Sequence, residues 1–177
     1  MTLEARRARR RRDRWARTFR PTAINVLIIG EAPPELLDRY FHFPDVSTQD
    51  TLFRHVIKAA LRIEPSRETK REQLERLRDA GVFLIDVSQE PLGDRDLAPH
   101  IPGLIRRARR LNPRRIVLAK ANVYDDAFTP LVGAGLPVID ARIRFPAQGW
   151  QAEFVDSFRR ALRRKPVTER ARSRTRQ

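Results

Sequence analysis

An α/β fold, a three-layer α/β/α sandwich around a parallel sheet of four strands, is predicted for this 177-residue chain by three observations. Short apolar runs recur at residues 24–30, 82–87, 115–119 and 137–140, and segments with apolar residues at helical spacing separate them. The runs lack the polar alternation of a strand with one wet face, so they read as strands buried on both sides. Strands that alternate with helices in this way form a parallel sheet covered on both faces.

Val26, Leu27, Ile28 and Ile29 make the first strand, and Gly30 permits a sharp turn at its carboxyl end. Ligands of open α/β sheets bind at such ends. Pro33 and Pro34 stiffen the turn, so Glu31 and the nearby amides are either held ready for a ligand or belong to an ordinary strand exit. Tyr40, Phe41, His42 and Phe43 then cluster in a loop. Ser47 or Thr48 is positioned to cap a helix carrying Leu52, Phe53, Val56, Ile57, Ala59 and Ala60. Ser66 and Thr69 open a charged helix that reaches Asp79 with Leu74 and Leu77 on its apolar edge, and Gly81 stops it.

The second strand spans 82–87 and carries Asp86 near its end, followed by a loop over 88–96. A helix over 97–111 turns Ile101, Leu104, Ile105 and Ala108 inward and Arg106, Arg107, Arg109 and Arg110 outward, with Pro102 expected to kink or delay its start. Asn112 and Pro113 end it. The third strand (115–119), a helix near 125–132, the fourth strand (137–140) and a loop over 141–150 lead to a last helix that buries Phe154, Phe158 and Leu162.

At 41% hydrophobic residues the chain can build one full core but is short for two. It contains no cysteine, which excludes disulfides, thiolate metal sites, iron-sulphur clusters and a cysteine nucleophile. His42, His55 and His100 are isolated and show no ligand spacing, so neither a metal nor a cofactor is expected. No apolar run approaches the roughly 20 residues that span a bilayer, and no signal-peptide core is present, so a cytoplasmic protein is expected.

The formal net charge is +15, and its distribution is uneven. Residues 1–20 carry nine Arg against Glu4 and Asp13, and residues 159–177 carry eight Arg and Lys165 against Glu169, while 21–158 hold 19 basic and 19 acidic side chains. The chain divides accordingly into a basic arm (1–20), an α/β domain (21–163) and a basic tail (164–177). Dense arginine, including Arg9, Arg10, Arg11 and Arg12, suits a phosphate backbone without reading bases. Solubilising tails, an acidic protein partner or an anionic membrane surface are the other readings of the same charge. The arm could also be a helix that packs Trp15 and Phe19 on the domain.

Gly30-Glu31-Ala32-Pro33-Pro34 resembles the first motif, Gly-Glu-Ala-Pro-Gly, of the iron-sulphur branch of the uracil-DNA glycosylase superfamily. The likeness covers residues 23–163. Residues 84–87 are similar to the second strand, residues 111–118 to the entry of the third, and Phe145-Pro146-Ala147 stands where the family has His-Pro-Ser. The resemblance implies a glycosylase-like fold and a base-binding crevice. It implies Glu31 as a base or base-edge contact, Asp86 and Phe145 at the base, and an aromatic stack from Tyr40, Phe41 or, preferentially, Phe43. Lys120, Arg142 and Arg144 would line the rim, and Trp150 would be either a wedge into the duplex or an anchor of the last helix.

The departures fall on the chemistry. Phe145 cannot donate to a uracil carbonyl, Asp86 replaces an amide, Pro34 removes a backbone N–H, and the four cluster cysteines are absent. Three functions remain: a nucleic-acid-binding protein, of DNA in preference to RNA, with lost or altered base excision; an active glycosylase of unusual specificity; and a scaffold whose Arg-rich ends bind an acidic protein.

Overall fold

The computed structural model describes residues 3–36, 39–46, 50–93, 95–147 and 149–168. Helix α1 (Leu3–Thr18) leads to strand β1 (Val26–Gly30), and helices α2 (Thr51–Ala60) and α3 (Lys70–Asp79) precede β2 (Val82–Asp86). A single 3-10 turn (Ala98–His100) opens α4 (Ile101–Leu111), and β3 (Ile116–Leu118), α5 (Ala121–Gly133) and α6 (Gln151–Arg163) follow. No described helix is long and apolar enough to cross a membrane.

The three strands form a parallel sheet in the order β2-β1-β3, with Gly30 opposite Asp86. Every residue of the central β1 is buried, which is why its sequence shows no polar alternation. Alternate residues feed two cores. Val26, Ile28, Leu84 and Val117 meet α2, α3 and α6 on one face; Leu27, Ile29, Phe83 and Leu118 meet α4 and α5 on the other.

The expected fourth strand is a correction to the sequence reading. Residues 137–140 lie beside β3 but form only one bridge, Val138 to Ile116, flanked by hydrogen bonds from Ile116 N–H to Pro137 O and from Ile139 N–H to Ile116 O, both 2.8 Å. Pro137 has no N–H to give. Ala141 N–H turns back to Ile139 O (3.0 Å), so a tight local turn takes the next donor that a longer ladder would need.

Helix boundaries move for local reasons. The α2 cap position is Asp50, whose carboxylate pairs with the buried Lys70 instead of the helix amides; Ser47 and Thr48 lie outside the described residues. Pro102 sits in the first turn of α4, where its missing N–H is harmless, and the 3-10 turn takes the residues before it. Helix α5 starts at Ala121, earlier than the expected 125, with Val123 fully buried in its first turn. Gly81, at φ +73°, makes the left-handed turn between α3 and β2.

The basic arm is helix α1, and its inner face is packed on the domain. Phe19 is 2% exposed, Trp15 stacks on it at 6.2 Å and meets Phe43 edge-on at 5.9 Å. Of the basic tail, residues 164–168 are described, and Val167 N–H bonds Val138 O at 3.0 Å. Phe19→Ala should cost about 3–5 kcal/mol through the cavity it leaves. Urea unfolding checks the loss, and proteolysis should cut within residues 1–20 well before global unfolding; unchanged stability would mean that α1 is not anchored by this ring.

Candidate functional site at the strand ends

The carboxyl ends of the three strands lie side by side, and backbone bonds run on past them. Val87 N–H donates to Gly30 O at 2.9 Å, Ser88 N–H to Glu31 O at 3.0 Å and Ala119 N–H to Ile29 O at 3.0 Å. This extension fixes where Glu31, Asp86 and Lys120 leave the sheet. Lys120 occupies the cap position of α5, and its ammonium donates to Glu31 Oε2. From the first turn of the same helix, Asn122 Nδ2 donates to Glu31 Oε1 at 2.5 Å.

Both oxygens of Glu31 are therefore engaged. Its side chain is 30% exposed and that of Lys120 36%, so water screens the pair and its contribution to stability is below about 1 kcal/mol. The consequence is orientation. Lys120 Nζ also lies 5.8 Å from the centroid of the half-buried Phe145 ring, which joins Glu31, Lys120, Asn122 and Phe145 in one cluster.

Asp86 lies next to this cluster across the β1/β2 pair. One of its carboxylate oxygens fills the space that a β-carbon on Gly30 would take, so any larger residue at position 30 must displace the Asp86 carboxyl. Burial pushes Asp86 up to about 7; Arg107 and Arg12 pull it down, and Glu31 pushes it up. In its protonated form Asp86 offers a donor and an acceptor together. His42 is buried, with Nε2 donating to Leu84 O at 3.0 Å, and burial pushes it down to about 4, so it is neutral.

The other candidates are engaged elsewhere. Phe43 is buried, with Trp15 at its edge and the Arg11 guanidinium 5.1 Å from its centroid, and Tyr40 and Phe41 are buried too. Arg142 makes a bidentate pair with Asp125 on α5, both bonds 2.8 Å. Arg144 stacks 4.2 Å from the ring centroid of Trp150, which is 44% exposed at the start of α6.

Arg9 donates to Gln89 Oε1 at 2.7 Å, and the buried Arg12 bonds Glu90 Oε2 at 3.0 Å and Gln89 O at 3.2 Å. Arg12 holds α1 to the loop after β2 and is not free for phosphate. Arg10 is exposed. Two residues escaped the sequence reading: Asn122, an ordinary helix-start amide until Glu31 is brought opposite, and Arg107, one of several outward arginines. Arg107 donates to Asp86 O at 2.9 Å and Val87 O at 2.6 Å.

Among the described residues no group of three or more His, Cys, Asp or Glu is placed to hold a metal ion. No family model, curated protein or solved structure matches the chain.

Gly30→Ala should destabilise the fold by about 1–3 kcal/mol by displacing the Asp86 carboxyl, and Asp86→Gly should recover most of the loss in a double-mutant cycle. Additive losses would refute the close approach. Asp86 has a second, pH-dependent signature. Its folded value of about 7 lies above its ordinary 3.8, so the stability it contributes is full at acid pH and is lost as pH rises toward 7.

Asp86→Asn should therefore gain on the parent by about 2–4 kcal/mol between about pH 4 and about pH 8. His42 drives the opposite trend over the acid part of this range, in both proteins, and cancels in the difference. Denaturant melts across that range check it; a flat difference would refute the upward shift of Asp86.

Proposed function

We propose that the chain is a nucleic-acid-binding protein on a uracil-DNA glycosylase-like scaffold in which base excision is lost or altered. The observation that carries this reading is the outward face of α1. With its inner side held by Phe19, Trp15 and Arg12, the helix leaves Arg6, Arg7, Arg10, Arg14 and Arg17 exposed. At ~100° per residue these positions fall within about 100° of one another around the axis. A docked helix presents them as a preformed row of guanidinium groups, which suits phosphate contact without base reading.

The crevice chemistry supports the rest. A general base needs a carboxylate free to accept a proton, whereas Glu31 is neutralised by Lys120 and held by Asn122. Phe145 offers no donor to a departing base. One observation favours the second reading, an active glycosylase of altered specificity: Asp86 near its midpoint at neutral pH presents the donor and acceptor that an amide would.

A release assay over uracil, hypoxanthine and other altered bases in single-stranded and mismatched DNA separates the two. No base release is expected from the parent or from Glu31→Ala. Release that Glu31→Ala abolishes would overturn the loss of catalysis. Binding is tested by salt titration: replacing Arg6, Arg7, Arg10 and Arg14 together with Gln should lower the slope of log K against log salt on duplex DNA by roughly 3–4, at about 0.9 per phosphate contact. An unchanged slope would exclude this face, and retention of an acidic protein without any nucleic acid would favour the scaffold.

A further inference from the structure

Helices α1 and α4 flank a groove of about 980 Å³ whose floor is the free edge of β2. Arg9, Arg17 and Arg20 stand on the α1 side, and Arg106, Arg107 and Arg110 on the α4 side. Asp13 and Glu90 are the two carboxylates that face them, and each is already near an arginine: Glu90 bonds Arg12, and Asp13 lies 3.9 Å from Arg9. The guanidinium groups of Arg20, Arg106 and Arg110 have no hydrogen-bond or ion-pair partner among the described residues. The groove therefore holds an uncompensated positive charge along its length, about 12 Å from Arg9 to Arg17 at the helical rise.

From this geometry we infer that the groove is a channel for one strand of nucleic acid, held by its phosphates. The inference rests on the nucleic-acid reading above and adds a second place of contact, which shares only Arg17 with the outer face of α1. Its volume is that of a site for a small ligand or a few nucleotides. Positive walls track a backbone, and the half-buried Ile85 and Leu111 give unstacked bases an apolar surface.

The edge of β2 would otherwise invite an added peptide strand, with an acidic peptide as the obvious rival. Arg107 stands against that. Its guanidinium already occupies the carbonyls of Asp86 and Val87 at the end of the edge, so a peptide ladder loses acceptors there.

The test uses the full chain and two variants, with fluorescence anisotropy on a labelled single-stranded oligonucleotide and on a hairpin duplex. The groove variant is Arg20→Glu, Arg106→Glu and Arg110→Glu together; the control is the Gln replacement of Arg6, Arg7, Arg10 and Arg14. The groove variant should lose at least about tenfold in single-strand affinity and about 2 in salt slope, at ~0.7 per contact, with duplex affinity changed by less than about threefold. Should the charge reversals impair folding, judged by circular dichroism and melting, the same three positions changed to Gln give the smaller loss in the same direction.

Unchanged single-strand affinity in the folded groove variant, with binding lost in the control, overturns the channel and leaves the nucleic-acid reading standing. Absence of binding by the parent at low salt overturns that reading itself. Polyglutamate competing as well as the oligonucleotide, through the same three arginines, overturns the choice of a nucleic-acid strand.

Discussion

Strand β2 lies at the edge of a three-stranded parallel sheet, and in an α/β protein such an edge has to be covered. Most of the molecule's unusual features answer to that constraint. Helix α1 runs beside the edge, with Phe19 in one core and Ala16 against the other, so a segment that reads as a polycation becomes part of the domain. Arg12 and Arg9 fasten its middle to Gln89 and Glu90, and Arg107 reaches from α4 to the last carbonyls of the strand. Arginines are thus spent inside the structure, and the ones left over line the groove between the two helices.

The same strand pair shapes the crevice. Register places Asp86 opposite Gly30, and the absent side chain of the glycine leaves room for the carboxyl. Burial makes the carboxyl hard to ionise, and Glu31, its neighbour across the strand ends, is compensated by Lys120 and Asn122. Two acidic groups at one rim therefore differ in state: one is paired and oriented, and the other sits near its midpoint at neutral pH. A second buried pair, Lys70 with Asp50, ties α3 to the start of α2; Lys70 also lies 4.5 Å from the Phe53 ring centroid and 3.4 Å from Tyr40 O. Removing one partner would leave a buried charge uncompensated, so this pair specifies how the aromatic loop packs.

The three long apolar runs and the helical spacing between them were readable because burial on both faces demands an unbroken apolar strand. The fourth run was not separable from the others by composition, since its failure to extend the sheet lies in the proline and the tight turn at Ala141. Glu31 and Lys120 stood out because each follows a strand directly. Asn122 did not, because its role exists only where α5 begins opposite Glu31. Phe43 was legible as an aromatic in a loop, but its neighbours Trp15 and Arg11 come from a helix about thirty residues earlier in the chain.

By itself, then, the sequence determined the α/β alternation, the turn at Gly30 and the surplus of arginine at the ends, because periodicity, a missing side chain and formal charge are local properties. Tertiary structure decided which arginines are structural and which are exposed, that Glu31 is held by Lys120 and Asn122, and that Asp86 is hard to ionise. Those outcomes depend on distance and burial between residues far apart in the chain, and no local pattern encodes either.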